Sequence, residues 1–242
     1  MFRSTLAVAG LALVLPLAAP ATASTTITFD GLVTTSFGPG SQLTTVDFGT
    51  PEVAVAPGAY DGPLGEAGRD VMRNVPDGLL RFFDTGYVGL TNVAYVDPNA
   101  SVGEFIFTPG AGFSVTLDSF QLSYFDDPDF GPFPQTVDIA VFGVSGGSWT
   151  SLWSRSDVVL DGTAASTFLP GVSSTDELRL QWALSPNWAG NAGAFIDAVG
   201  IDNITFSSAP VTPAVIPLPA TLPLLLGALG LVGLVARRRQ AA

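Results

Sequence analysis

Asp126-Asp127-Pro128-Asp129 packs three carboxylates into four residues. Carboxylates converge on hard cations, so this stretch could hold calcium or contact a ligand. It lacks the alternating spacing and glycine of an EF-hand loop, and Asp and Pro are equally the ordinary residues of a solvated turn. A second acidic position lies in the run Val199 to Phe206. Val199 and Ile201 occupy one phase of alternation, Ile204 and Phe206 the other. The phase flips at Asp202-Asn203, which predicts a β-bulge that re-aims an acidic side chain. If the first and last strands are neighbours, Asp202 lies near Asp30. At a bulge Asx side chains also bond local backbone, which needs no metal. The four tryptophans are Trp149, Trp153, Trp182 and Trp188. An exposed indole can stack on a sugar face; a buried one packs the core. Trp182 shares the phase of Leu178 and Leu180 and reads as core. Trp149 and Trp153 differ by four residues and are expected on one side of a strand. Trp188, in Ser185-Pro186-Asn187-Trp188-Ala189-Gly190, falls on a predicted loop. With Asp126, Asp127 and Asp129 it forms the candidate ligand-binding set.

What the chain lacks removes more chemistry than these groups add. It has no Cys, no His and no Lys. Ser-His-Asp and Cys-His nucleophiles are therefore unavailable, as is Schiff-base chemistry. Zinc sites draw on Cys and His and are not expected. A glycosidase needs two positioned carboxylates, and no recognisable catalytic motif sets such a pair apart; Asp157 and Asp161 read as loop residues. The chain is read as non-enzymatic. All 21 acidic residues lie between residues 24 and 210, with five basic ones (Arg69, Arg73, Arg81, Arg155, Arg179), a net charge of −16. Such a domain repels nucleic acid and anionic membranes. Its natural partners are cations and neutral or basic polymers.

The elements that must position these groups read as strands. Gly and Pro punctuate residues 24–210 about every ten residues, with alternating apolar runs between them. The runs are Thr26 to Phe29, Leu79 to Phe83, Val88 to Val96, Glu104 to Thr108, Phe113 to Leu117, Phe120 to Tyr124, Val137 to Val141, Trp149 to Trp153, Leu178 to Trp182 and Val199 to Phe206. Short strands without an internal repeat favour an all-β, two-sheet jelly-roll sandwich. The segment Gly38 to Pro76 is rich in Gly and Pro and is expected to form loops with a short strand or two.

Both ends read as targeting segments. Arg3, the apolar stretch Leu6 to Leu17 and Ala21-Thr22-Ala23 have the form of a secretory signal peptide over residues 1–23, cleaved between Ala23 and Ser24. Export would use the Sec translocon and a signal peptidase. Residues 211–242 hold Ile216-Pro217-Leu218-Pro219-Ala220, an uncharged run from Leu218 to Ala236, and Arg237-Arg238-Arg239. At about 1.5 Å per residue the run reaches roughly 28 Å, a single transmembrane helix with its Arg cluster inside. The pattern resembles the PEP-CTERM sorting signal of Gram-negative bacteria in its VPLPA-CTERM variant, with Ile216 for the leading Val. The resemblance implies recognition by an exosortase near the Pro motif, and a plan associated with exopolysaccharide production. An ordinary tail anchor is the simpler reading of the same hydropathy.

The β pattern resembles galactose-binding-like and carbohydrate-binding-module jelly rolls, several of which close on a strand like Ile201-Asp202-Asn203-Ile204. There the closing-strand Asp and a first-strand carboxylate hold a structural calcium. Carried over, Asp202 and Asp30 are the calcium ligands. The sequence thus describes an exported surface or matrix protein, structural or adhesive and linked to exopolysaccharide, with a calcium-stabilised carbohydrate-binding module as the alternative and a glycan-active enzyme behind both. It passes through a membrane-anchored stage before reaching the cell surface. Terminal peptide mass spectrometry on protein from its native cells checks both ends. A mature chain running from Ser24 to near Pro219 is the expected result; a chain retaining Arg237 to Arg239 would make the tail a permanent anchor.

Overall fold

Alternating apolar residues in short runs can bury one face of a sheet only by meeting another sheet, and this chain does so. A computed structural model describes residues 22–30, 47–58, 63–66, 80–83, 86–96, 102–127, 131–132, 135–185, 199–211 and 237. The chain divides into two units, residues 1–210 and 211–242. In the first, the strands are β1 (Ala23–Ile27), β2 (Val53–Pro57), β3 (Leu80–Phe83), β4 (Val93–Val96), β5 (Val102–Pro109), β6 (Phe113–Tyr124), β7 (Asp126–Asp127), β8 (Gly131–Pro132), β9 (Gln135–Ser145), β10 (Ser148–Leu160), β11 (Ser166–Phe168), β12 (Val172–Ser174), β13 (Glu177–Leu184) and β14 (Val199–Pro210). One four-residue helix, α1 (Pro63–Glu66), follows β2. Of the second unit only Val211 and Arg237 are described, both exposed. Among the described residues no helix is long and apolar enough to cross a membrane. The expected span 218–236 lies outside them, as do Ile216 to Ala220, Arg238 and Arg239.

The strands form a β-sandwich. Sheet A runs β11-β6-β14-β4-β3, with β12 also on β6 and β1 also on β14; sheet B runs β10-β9-β13-β5-β2. All the pairings are antiparallel. β7 and β8 make a separate two-stranded ribbon. The inward phase of β6 supplies Val115, Leu117, Phe120 and Leu122; that of β13 supplies Leu178, Leu180 and Trp182. With Phe105, Phe107, Ile139, Val141, Ile204 and Phe206 they make one continuous core. Trp182 is fully buried there, as its phase predicts, stacked on Phe105 at 6.2 Å. Gly103 lies flat against the indole, where any Cβ would clash. The β9–β10 hairpin turns through Gly146 and Gly147, with φ of 55° and 80°, the left-handed pair that a tight hairpin requires.

Several expectations shift in register. Val88 to Val96 is not one strand: Leu90 N–H bonds the Tyr87 carbonyl at 3.1 Å, closing a turn, and pairing begins only at Val93. The runs 113–117 and 120–124 are a single strand, β6, whose partner residues slip between Leu117↔Phe206 and Ser119↔Thr205. That one-residue excess is a bulge, and it restores the inward phase at Phe120. Asp157 is not in a loop. It sits within β10 at φ 53°, in an irregularity between Arg155 and Val158.

Candidate functional site

The outer face of sheet B carries a connected set of polar and aromatic contacts. Outward phases of neighbouring strands bring Glu104 of β5 opposite Gln181 of β13, and Arg179 opposite Phe142 of β9. Glu104 is 1% exposed and Gln181 fully buried. The Gln181 amide donates to Glu104 Oε2. Arg179 Nη1 reaches Glu104 Oε1 at 3.4 Å, and its Nε donates to Glu177 Oε1 at 2.6 Å. A buried carboxylate is tolerated only with such partners. The Gly58 N–H bonds the Glu104 carbonyl at 3.0 Å, and a Cβ at Gly58 would strike the Glu104 carboxylate. α1 packs on β13 and β9 beside it.

Trp149 extends this face toward solvent. The Arg179 guanidinium lies 4.7 Å from its ring centroid, and the Phe142 ring meets it edge-on at 5.5 Å. The indole is half-buried. It and Trp153 do not share a side, although four residues separate them. The β9–β10 register slips between Ser151 and Trp153, and the extra residue inverts the phase. Trp153 therefore turns to the core side, against Phe120 and Phe168. The Glu104–Gln181–Arg179 group escapes a local reading because its members meet only through strand pairing. The one local signal is the polar Glu104, Arg179 and Gln181 at outward positions of two alternating runs.

The acidic pair at the closing strand is assembled as its phase suggests. β1 pairs with β14 from Ala23↔Ser208 to Ile27↔Ile204. β14 slips register between Asp202 and Thr205, and Asn203 adopts φ 52°. Asp202 is 5% exposed. Its carboxylate takes backbone N–H bonds from Asn203 and Phe29. Its Oδ1 has no hydrogen-bond partner among the described residues. Burial raises its pKa to about 6; the backbone donors pull it down, and the nearby Asp30 charge adds to the rise. Asp30 is exposed and accepts a 2.6 Å bond from the Asn92 amide. Two carboxylates from adjoining segments and an unpartnered oxygen suit a hard cation. Calcium takes six to eight oxygens, so carbonyls and water would supply most of them. Among the described residues no three acidic side chains gather at one point.

The other expected site residues are not brought to either place. Asp126 is exposed, its N–H bonded to the Gly86 carbonyl at 2.6 Å. Asp127 pairs with Gly131 in the β7–β8 ribbon. Asp129 and Trp188 lie outside the described residues, as does Ala21. Ala23 and Ser24, flanking the expected cleavage point, are the first two rungs of β1.

No family model matches the chain, and no curated protein matches it. Several solved structures are similar, two of them as follows. One is a CBM4 structure, at 13% identity over 58% of this chain and 88% of that chain, with a TM-score of 0.26. The other is the X-ray structure of GH31 CBM32-2 bound to GalNAc, at 11% identity over 64% of this chain and 95% of that chain, with a TM-score of 0.28. At such scores the likeness carries no argument; the fold rests on its strand order and the site on its side chains.

Asp202 makes stability fall as pH rises. Its folded pKa of about 6 exceeds its ordinary 3.8, so the folded chain holds the extra proton between these values. The stabilising contribution is complete below pH 4 and is lost as pH passes 6, about 3 kcal/mol in all. Chemical denaturation in EDTA of the parent and Asp202→Asn isolates the effect. The variant should gain on the parent by about that amount between pH 4 and 7; a constant difference would mean that Asp202 titrates normally.

Proposed function

We propose that this protein is an exported, non-catalytic surface or matrix protein whose sandwich binds polysaccharide. The observation that carries the reading is the Trp149–Arg179 platform on the outer face of sheet B. A pyranose offers an apolar ring face and a rim of hydroxyls. An indole backed by a guanidinium matches the first. The partly exposed Glu177 carboxylate beside the guanidinium matches the second, and the buried Glu104 and Gln181 hold Arg179 in place from beneath. These groups are already ordered by one another, so little freedom is lost on binding. The all-β sandwich supports a recognition surface without requiring a catalytic cleft.

The reading includes the two ends: Sec export, signal-peptidase cleavage, exosortase sorting through Ile216 to Ala220, and a membrane-anchored intermediate that ends at the cell surface or outside it. It also includes calcium at Asp30 and Asp202, tying the segment after β1 to the closing strand. In that role calcium is structural and distant in sequence from the sugar platform.

Two measurements test these proposals. Trp149→Ala should weaken binding to soluble oligosaccharides at least tenfold, as a central aromatic contact does; an unchanged affinity would remove the platform from the site, and silence of the parent across neutral and acidic glycans would remove the function. Calcium should raise the melting temperature of the parent and not that of Asp202→Ala. An equal response in both would exclude Asp202 as a ligand.

A further inference from the structure

The opposite side of the sandwich carries a feature of another kind. On the outer face of sheet A the register aligns hydroxyls in rows across the strands. Ser24 of β1 lies opposite Ser207 of β14, Ser207 opposite Thr116 of β6, and Thr116 opposite Ser173 of β12. One pleat away, Thr26 lies opposite Thr205, and Thr205 opposite Ser119. Directly opposed residues share a face. The rows therefore place a hydroxyl about every 4.8 Å across the sheet, with about 7 Å between rows along β1 and β14. Ser24, Thr26 and Ser173 are exposed, and the central members are half-covered by their neighbours.

Two cross-strand bonds fix the array. The hydroxyls of Thr26 and Thr205 lie 2.9 Å apart, and those of Thr116 and Ser173 2.7 Å apart. Each such pair uses one proton and leaves one hydroxyl hydrogen and several lone pairs for a partner. Ser24, Ser119 and Ser207 make no side-chain hydrogen bond among the described residues. The face is also nearly uncharged. In β1, β6, β12 and β14 the charged residues are the buried Asp202 and the half-buried Asp118, in a domain of net charge −16. Large apolar or aromatic anchors, which protein partners need, are absent from the rows.

We infer that this face is a second contact surface, for a neutral polysaccharide chain laid across the strands. A neutral polymer is not repelled by the one half-buried carboxylate here, and an extended pyranose chain repeats at nearly the strand spacing, so successive sugars meet successive hydroxyls. Single neutral hydrogen bonds add little; a periodic row gains by repetition on a long or particulate polymer. The two recognition surfaces then lie on opposite sheets, and one molecule can bridge two chains. The bridging rests on the Trp149 platform of the proposed function; contact by the hydroxyl face does not.

The test uses microcrystalline cellulose as the probe for the face, carboxymethylated cellulose as its anionic counterpart, and soluble oligosaccharide for the platform. The double variant Thr116→Val, Thr205→Val keeps side-chain shape and strand preference while removing two central hydroxyls; an unchanged circular dichroism melt confirms its fold. Retention on cellulose should fall at least tenfold in this variant while its affinity for soluble oligosaccharide is unchanged, and the parent should favour the neutral particle. Retention that survives Trp149→Ala would independently support the second surface. Retention equal to the parent in the double variant would overturn the inference and leave the platform reading intact. A parent that is dimeric by light scattering and a variant that is monomeric would also overturn it, assigning the face to self-association.

Discussion

Everything in this domain hangs on β14. With no cysteine, no disulfide ties the chain together, and cohesion comes from apolar burial and strand pairing. β14 is bonded to β6 along its whole length on one side, and to β4 and then β1 on the other. It contributes Val199, Ile201, Ile204 and Phe206 to the core from a single strand. The last strand of the domain thus holds the first strand in place. Because both alternation phases of β14 must serve the core, the strand needs one extra residue where the phase changes. The bulge at Asp202-Asn203 is the local consequence of that global demand. The left-handed Asn203 fits it, since Asn tolerates positive φ better than most residues.

Two acidic groups are buried, and they are handled differently. Glu104 is met by Gln181 and Arg179 within sheet B. Replacing such a group by a well-packed apolar one is often neutral or stabilising, so stability alone gives no reason for it to be there. Its place beneath Arg179 is better explained by holding that guanidinium against the Trp149 ring. Asp202 is bonded only by backbone, and one of its oxygens stays unmatched. The first carboxylate has side-chain partners for both oxygens; the second is complete only with a proton or a cation.

Legibility in the sequence followed the range of the interaction. The flip of phase at Asp202 is local and could be read directly, as could the Gly146-Gly147 turn and the burial of Trp182. The same principle failed at Trp149 and Trp153. There the bulge falls among Ser151, Leu152 and Trp153, where no apolar alternation records it, and counting by twos put both rings on one side. β2 is a short strand of the kind expected within Gly38 to Pro76, but its bounds were not legible because Val53 and Val55 stand in a stretch dominated by Gly and Pro. The Glu104 group was hidden for a different reason: Glu104 and Gln181 are 77 residues apart, and only the β5–β13 register makes them neighbours. Asp126 and Asp127, a candidate read from local density, lie in the β7–β8 ribbon, away from both the Glu104 group and Asp202.

Strand alternation also explains why both outer faces are available for function. In a sandwich each sheet gives one phase to the core, and the fold constrains the other phase only weakly. Sheet B uses that freedom for a group of charges and aromatic rings; sheet A uses it for small hydroxyls along β1, β6, β12 and β14 and for a second apolar cluster around Tyr87, Val93 and Tyr95 at β3–β4. The two faces should therefore respond differently to salt. Contacts through Arg179 and Glu177 carry a Coulomb component that screening weakens. Contacts through Thr and Ser rows carry none. The inner core needs neither the hydroxyl rows nor the Trp149 group, so a change confined to one can alter recognition there while the strand order, the closing strand and the opposite face are preserved.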